Sequence, residues 1–323
     1  MTDEDIIERI PNMSALVAGD IRLDYRCVYD PALSAPPAQS GIARLTVISA
    51  EFRPGGGGSL AADLAALGCG RVAVLGVAGS DGHGFELHNS LRERGVSTEN
   101  LVRTPEMMTF TSMRFFSSQT GAEDEPAIDF MSTRRLPETV ERQILNRYQS
   151  VFDGFNLIYI SDLAETELGG VVTDSMRKLI DELAPAYPDK IVIVDSRARL
   201  LKYRRVIIRA THRQADAASI ELLGRIDHAA LRERLRARLL VVTHEGQGVS
   251  VYDARGKVEV AAASPPAAGN RADDAFGAAF GLALAVSRDV MRATEFGNLV
   301  AAISAARHGE GVARPHEILR RSR

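Results

Sequence analysis

Tryptophan is absent from this chain, cysteine occurs only at Cys27 and Cys69, and no apolar run is long enough to cross a bilayer. Two cysteines cannot build a disulfide framework or a cysteine metal site, so both are expected to pack as ordinary core residues in a reducing compartment. A spanning helix needs about 20 consecutive apolar residues, and the acidic start Met1-Thr-Asp-Glu-Asp-Ile-Ile-Glu-Arg lacks an apolar signal core, so a cytoplasmic location is expected. Basic charge is not in surplus either. Lys and Arg total 39 against 42 Asp and Glu, a net charge of −3, which gives no field for nucleic acid or for an anionic membrane. A small-molecule partner is the expectation that remains. The chain has 323 residues, 45% of them hydrophobic, enough for one large core or two modest ones.

The stretch that carries most chemistry is Ala267-Ala-Gly-Asn-Arg-Ala-Asp-Asp-Ala-Phe-Gly277, a small-residue loop running into an alanine-rich helix. The first turn of a helix has amide groups without intrahelical partners and the positive end of the dipole, so it suits an anion. A carboxylate beside such a site suits phosphoryl transfer, with Asp274 taking the proton of the attacking hydroxyl. Helix capping by Asp273 and Asp274 would explain the same residues without any chemistry.

Earlier in the chain, Ala15-Leu-Val-Ala-Gly-Asp20 reads as a strand ending on a carboxylate. Asp20 and Asp24 stand where open α/β sheets present ligand groups, although isolated aspartates are more often turn formers. Val28 to Gln39 reads as irregular, and Ala43 to Ser49 as a strand. Arg53-Pro-Gly-Gly-Gly-Gly-Ser59 then leads into a helical segment, and glycines there let backbone approach a ligand. No Gly-Lys-Ser/Thr follows, so this is not a Walker loop. Leu157–Ile160, Lys190–Val194, Val206–Ile208 and Leu239–Thr243 are short β-branched runs, the first two separated by a helical pattern from Thr166 to Leu183. Alternation of this kind predicts a mainly parallel sheet covered on both faces. Asp162 and Asp195 follow two of these strands, at the same type of strand end as Asp20. Arg114 can hold a substrate's remote phosphate by a two-pronged contact, or simply pair with Asp129 on the surface. The acidic run Gly121 to Glu125 reads as a solvated hairpin tip.

These motifs in this order resemble the ribokinase/PfkB family of carbohydrate kinases. Ala65-Ala-Leu-Gly68 and Val74-Leu-Gly-Val-Ala-Gly-Ser-Asp81 look like its first signature, and Ala272-Asp-Asp-Ala-Phe-Gly277 like its second. Within the family the resemblance is greatest to the kinase module of ADP-heptose synthase. It is carried by Gly19-Asp-Ile-Arg-Leu-Asp24, Arg53-Pro-Gly-Gly56, Thr109-Phe-Thr-Ser-Met-Arg114, Ile128-Asp-Phe130 and Ser161-Asp162, and spans roughly residues 12–313. The resemblance implies a single ribokinase-like domain, a three-layer α/β/α sandwich with a small β-sheet lid from about 24–51 and 107–131, often a homodimer interface. It also implies ATP with Mg²⁺ and a sugar or sugar phosphate acceptor, with no dedicated protein cage for the metal. Asp274 becomes the base, and the amides of Arg271, Ala272, Asp273 and Asp274 the anion hole. Asp20, Asp24, Gly56, Gly57, Ser59, Arg114, Asp129 and Asp162 fall on the substrate side. Asp195, His212, Thr243, Gly246, Gly248 and Asn298 fall on the nucleotide side, with Thr243-His-Glu-Gly-Gln-Gly248 as the phosphate loop, although it would also serve as a hairpin turn.

Departures from the family pattern bear on activity. Arg271-Ala-Asp-Asp274 stands for Gly-Ala-Gly-Asp, Ser59 for an asparagine and Ala268 for an acidic residue, and His212-Arg-Gln-Ala215 aligns with Asn-x-x-Glu. Asp273 would repel a phosphate unless it points away or pairs with Arg271. Two functions follow: a carbohydrate kinase, or a catalytically impaired relative that binds a sugar phosphate or nucleoside in a regulatory or partner role.

Overall fold

The computed structural model describes residues 1–34, 44–164, 168–262, 270–307 and 311–321, without the side chains of Asn270 and Arg271. In chain order the elements are α1 (Asp3–Arg9), β1 (Ser14–Gly19), β2 (Ile21–Tyr29), β3 (Val47–Gly56), α2 (Gly57–Ala66), β4 (Arg71–Gly79), α3 (Gly82–Glu93), β5 (Val96–Thr104), β6 (Thr111–Ser117) and β7 (Ile128–Phe130). There follow α4 (Glu138–Val151), β8 (Leu157–Asp162), α5 (Asp174–Ala186), β9 (Ile191–Ser196), β10 (Ile207–Thr211), α6 (His212–Leu223), α7 (His228–Arg234), β11 (Leu239–His244), β12 (Gly248–Tyr252), β13 (Lys257–Ala261), α8 (Asn270–Ser287), α9 (Val290–Ala305) and α10 (Pro315–Arg321).

The central sheet runs β13-β12-β11-β10-β9-β8-β1-β4-β5, parallel from β11 to β5, with β12 and β13 added antiparallel at one edge. Its middle strands are apolar throughout, as a sheet buried on both faces requires. Successive residues alternate between two cores. Val17 and Tyr159 face α8 with Phe276 and Phe280, whereas Leu16 and Ile158 face α4 and α5 with Tyr148 and Ile180. This is the expected three-layer arrangement.

The lid is a second sheet, ordered β3-β2-β6-β7. It exceeds the expected bounds: β2 begins at Ile21, and β3 runs from Val47 to Gly56 rather than ending at Ser49. Gly55 and Gly56 thus finish a strand while Gly57 and Gly58 open α2, so the glycine run is a strand-to-helix junction. Gly56 takes φ +56°, which favours glycine there. The helix expected from Thr166 starts only at Asp174, because Thr173 caps it by accepting from Met176 N at 3.2 Å. Residues 165–167 and Ala268 lie outside the described residues.

Candidate active site

A cleft of about 420 Å³ opens where the C-terminal ends of β8, β9 and β10 meet α8 and the lid. That is the end of a parallel sheet where ligands bind, and the volume falls in the ordinary range for small-molecule sites. Asp24, Gly56, Ser59, Arg114, Asp195, Asp273 and Asp274 all line it. Residues from both ends of the chain therefore converge.

The lid presents an arginine-rich face. On β2, Arg22, Asp24 and Arg26 recur at period two, while Leu23 and Cys27 are buried behind them. Arg22 Nε donates to Asp24 Oδ1 at 2.6 Å. Arg26 lies over the Phe116 ring at 4.2 Å, and its register partner on β6 is Arg114. Arg114 pairs not with Asp129 but with Glu123, its Nε donating to Oε1 at 2.7 Å. Asp129 sits opposite Ser112, exposed and outside the cleft. The acidic run is tied down as well, since Tyr29 OH donates to Asp124 at 2.9 Å. Six arginines and four aspartates line the cleft, an excess of positive charge on a chain of net −3.

At the floor stands Arg209, which the sequence reading passed over. It is 8% exposed, with its Nε donating to Asp195 Oδ2 at 3.1 Å and its Nη2 in closer contact with the same oxygen. Its Nη1 donates to the Asp273 carbonyl at 2.8 Å and lies 3.8 Å from the Asp273 carboxylate. Burial works against the charged guanidinium, but its acidic neighbours together, Asp195 foremost with Tyr159 and Asp273, outweigh it and raise the pKa well above the ordinary value. Tyr159 OH, pushed up by burial, is adjacent.

Asp273 therefore meets Arg209. The side chain of Arg271, its expected partner, lies outside the described residues. With α8 starting at Asn270, Asp274 is its fifth residue, just past the first turn. Its amide belongs to the helical ladder, which leaves the free donors to the residues before it.

Two other aspartates are structural. Asp20 is 4% exposed; its Oδ1 accepts from Val171 N at 2.7 Å and its Oδ2 from Leu163 N at 2.8 Å. Its carbonyl accepts from Gly57 N at 3.0 Å, so it fastens β1 to the loop after β8 and to α2. Burial raises its carboxyl pKa to about 6. Asp162 is fully buried and accepts from Ser196 Oγ at 3.0 Å, Tyr203 OH at 2.6 Å and Arg199. Neither lines the cleft.

Thr243, Gly246, Gly248 and Asn298 line a narrower groove of about 40 Å³ with Ala272 and Asp273. Gly246 and Gly248 take φ +68° and +116°, and a Cβ on Gly248 would strike the Val260 carbonyl. Asn298 Nδ2 donates to the Ala261 carbonyl at 2.5 Å. His212 lines neither cavity, its ring lying 6.0 Å from that of His244. Instead Thr211 and Gln214 line the main cleft. Thr211 caps α6, accepting from Gln214 N at 3.3 Å while Gln214 Oε1 accepts from Thr211 N at 2.9 Å. The polar-x-x-polar element thus sits one residue earlier than aligned, and is uncharged.

The model of the pfkB family carbohydrate kinases matches residues 36–317. The chain belongs to that family. Among curated proteins it is similar to bifunctional protein HldE of Geobacter sulfurreducens, 26% identical over 328 residues, covering 98% of this chain and 64% of that protein. HldE of Methylococcus capsulatus is 28% identical over 321 residues, covering 94% and 62%. The chain thus spans less than two thirds of the length of these curated relatives. Ribokinase of Thermotoga maritima superposes with a TM-score of 0.71 at 18% identity, covering 95% of this chain and 98% of that one. Escherichia coli phosphofructokinase-2 in complex with fructose-6-phosphate gives 0.69 at 18%, covering 96% and 98%. At these identities the two structures show a common fold.

For this pfkB-family chain the described residues build no direct protein cage for Mg²⁺. Among the described residues no three His, Cys, Asp or Glu side chains gather to hold a metal. Arg209 holds one oxygen of Asp195, Oδ2, and the pair at the start of α6 is neutral. Among the described residues, no helix is long and apolar enough to cross a membrane.

Proposed function

We propose that the protein transfers the terminal phosphoryl group of ATP to a hydroxyl of a sugar phosphate, in the manner of a heptose-7-phosphate kinase. One observation carries this reading: Asp274 and the lid arginines line a single cavity of sugar-phosphate size. Asp274 takes the proton of the attacking hydroxyl, while Asp24 and Ser59 orient the sugar. Arg114, with Arg22 and Arg53 lining the same cleft, meets the remote phosphate. Thr243, Gly246, Gly248 and Asn298 receive the nucleotide, whose narrow groove must widen to admit it. Mg²⁺ would arrive with the nucleotide, bound to its phosphates. The two edge strands of the lid expose Val47 and Ile48 on β3 and Ile128 on β7, which suits burial against a second lid in a homodimer.

The second reading, a sugar phosphate binder without turnover, draws on the narrow nucleotide groove and the altered anion-hole sequence. Thermal shift with ATP and with a sugar phosphate panel separates the two, since each bound ligand raises stability. The kinase reading expects both to stabilise the protein. It further expects Asp274→Asn to lower kcat by about 10²-fold or more with little change in binding. Stabilisation by sugar phosphates alone, or unchanged turnover in Asp274→Asn, rejects it.

A further inference from the structure

Phosphoryl transfer needs positive charge beside the transferring group, and in many enzymes a carboxylate-held divalent ion supplies it. Mg²⁺ is typically held through one or two carboxylates and its own waters. In this cleft two carboxylates near the α8 N-terminus, Asp195 and Asp273, already face a protein cation. Both Nε and Nη2 of Arg209 hold Asp195 Oδ2, and its Nη1 faces Asp273. A divalent ion would have to displace the guanidinium to reach Oδ2 of Asp195, the oxygen that Arg209 holds. Thr211 and Gln214 add oxygens but no charge.

The two carboxylate contacts of Arg209 differ in strength, and Nη1 also donates to the Asp273 carbonyl at 2.8 Å. Asp195 is held closely and is 20% exposed, whereas the Asp273 carboxylate is 29% exposed and 3.8 Å from Nη1, beyond hydrogen-bond range. The first contact anchors the guanidinium and the second is replaceable. A phosphate oxygen arriving at the α8 N-terminus would form the charge-assisted hydrogen bond that Asp273 does not.

We infer that Arg209 is the fixed cation for the transferring phosphoryl group, its Nη1 exchanging the Asp273 carboxylate for a phosphate oxygen where a carboxylate-held Mg²⁺ would otherwise act. This rests on the kinase reading above. In the step itself the acceptor oxygen bonds to the γ-phosphorus and the P–O bond to ADP breaks, ADP keeping the electron pair. The hydroxyl proton passes to Asp274, and Arg209 balances the charge on the transferring oxygens throughout.

Calorimetric titration of the full chain with ATP, in EDTA and in Mg²⁺, tests this. Wild-type affinity should differ by less than about threefold between the two, while Arg209→Met should lose roughly tenfold in EDTA, the worth of one charge-assisted hydrogen bond. Mg²⁺ should then restore part of that loss, because Asp195 and Asp273 are released to hold it. A merely structural role would not create metal dependence. If Arg209→Met does not fold, Asp273→Asn still decides: removing the competitor should tighten metal-free ATP binding severalfold, and where Arg209→Met folds, the double variant should lose that gain. A wild-type affinity that collapses roughly tenfold on chelation, or an Asp273→Asn variant no tighter than wild type in EDTA, overturns the inference while leaving the kinase reading in place. Failure to bind ATP or inorganic tripolyphosphate in either condition overturns both.

Discussion

Arg199 closes on Asp162 from the loop after β9, its Nε donating to Oδ2 at 3.3 Å and its Nη2 meeting Oδ1, with neither residue open to solvent. Tyr203 and Ser196 complete the shell of the carboxylate, and Arg199 Nη1 reaches the Gly169 carbonyl at 3.1 Å. The cluster joins the ends of β8 and β9 just below the cleft.

Removing one partner leaves a buried charge uncompensated. Arg199→Leu is expected to lower unfolding stability by about 3 kcal/mol in urea denaturation, and the double variant with Asp162→Asn to recover part of that loss. Arg177, 3.9 Å from Asp162, reduces the penalty without cancelling it. A single variant as stable as wild type would mean the carboxylate is hydrated or protonated.

Asp20 yields a pH signature of definite sign. Its folded pKa, about 6, lies above the ordinary 3.8, so the folded state holds this proton more tightly than the unfolded chain does. The associated stability is fully present below the lower value and is lost as pH rises through the higher one. Relative to Asp20→Asn, wild type should therefore lose up to about 3 kcal/mol between pH 4 and pH 7. Parallel stability curves for the two proteins would refute the shift.

The order of strands and helices was legible because apolar β-branched runs of strand length alternate with helical patterns, and the parallel sheet follows from that alone. The site was legible in part. Asp24, Ser59, Arg114 and Asp274 line one cleft, yet Asp20 and Asp162 turn inward. A carboxylate at a strand end looks the same in sequence whether it meets a ligand or a distant amide, and the deciding partners, Val171 and Arg199, lie far along the chain. Arg209 left a signal that went unused: a lone charge inside the apolar run Val206-Ile-Ile-Arg-Ala210, where an unpaired arginine would be costly.

Gly55 bears directly on substrate binding. A methyl group built there would overlap the Asp24 carboxylate, which lines the cleft. The carboxylate is the movable partner, so Gly55→Ala should fold while displacing Asp24. Expected is a rise in sugar KM of roughly tenfold or more with ATP affinity unchanged. An unaltered KM would show that Asp24 does not orient the acceptor.

Arg114 separates recognition of the phosphate from recognition of the sugar. Its guanidinium is half exposed and its pairing with Glu123 is a surface contact, worth little in itself. Removing the side chain should therefore leave stability within about 0.5 kcal/mol of wild type. If a substrate phosphate displaces Glu123, Arg114→Met should weaken sugar phosphate binding by roughly tenfold or more while leaving the unphosphorylated sugar unaffected. Glu123→Gln should act oppositely, freeing the guanidinium and tightening the phosphorylated ligand alone. Equal losses for both ligands in Arg114→Met would point to a general disturbance of the lid, and no loss would place the remote phosphate on Arg22 or Arg53 instead.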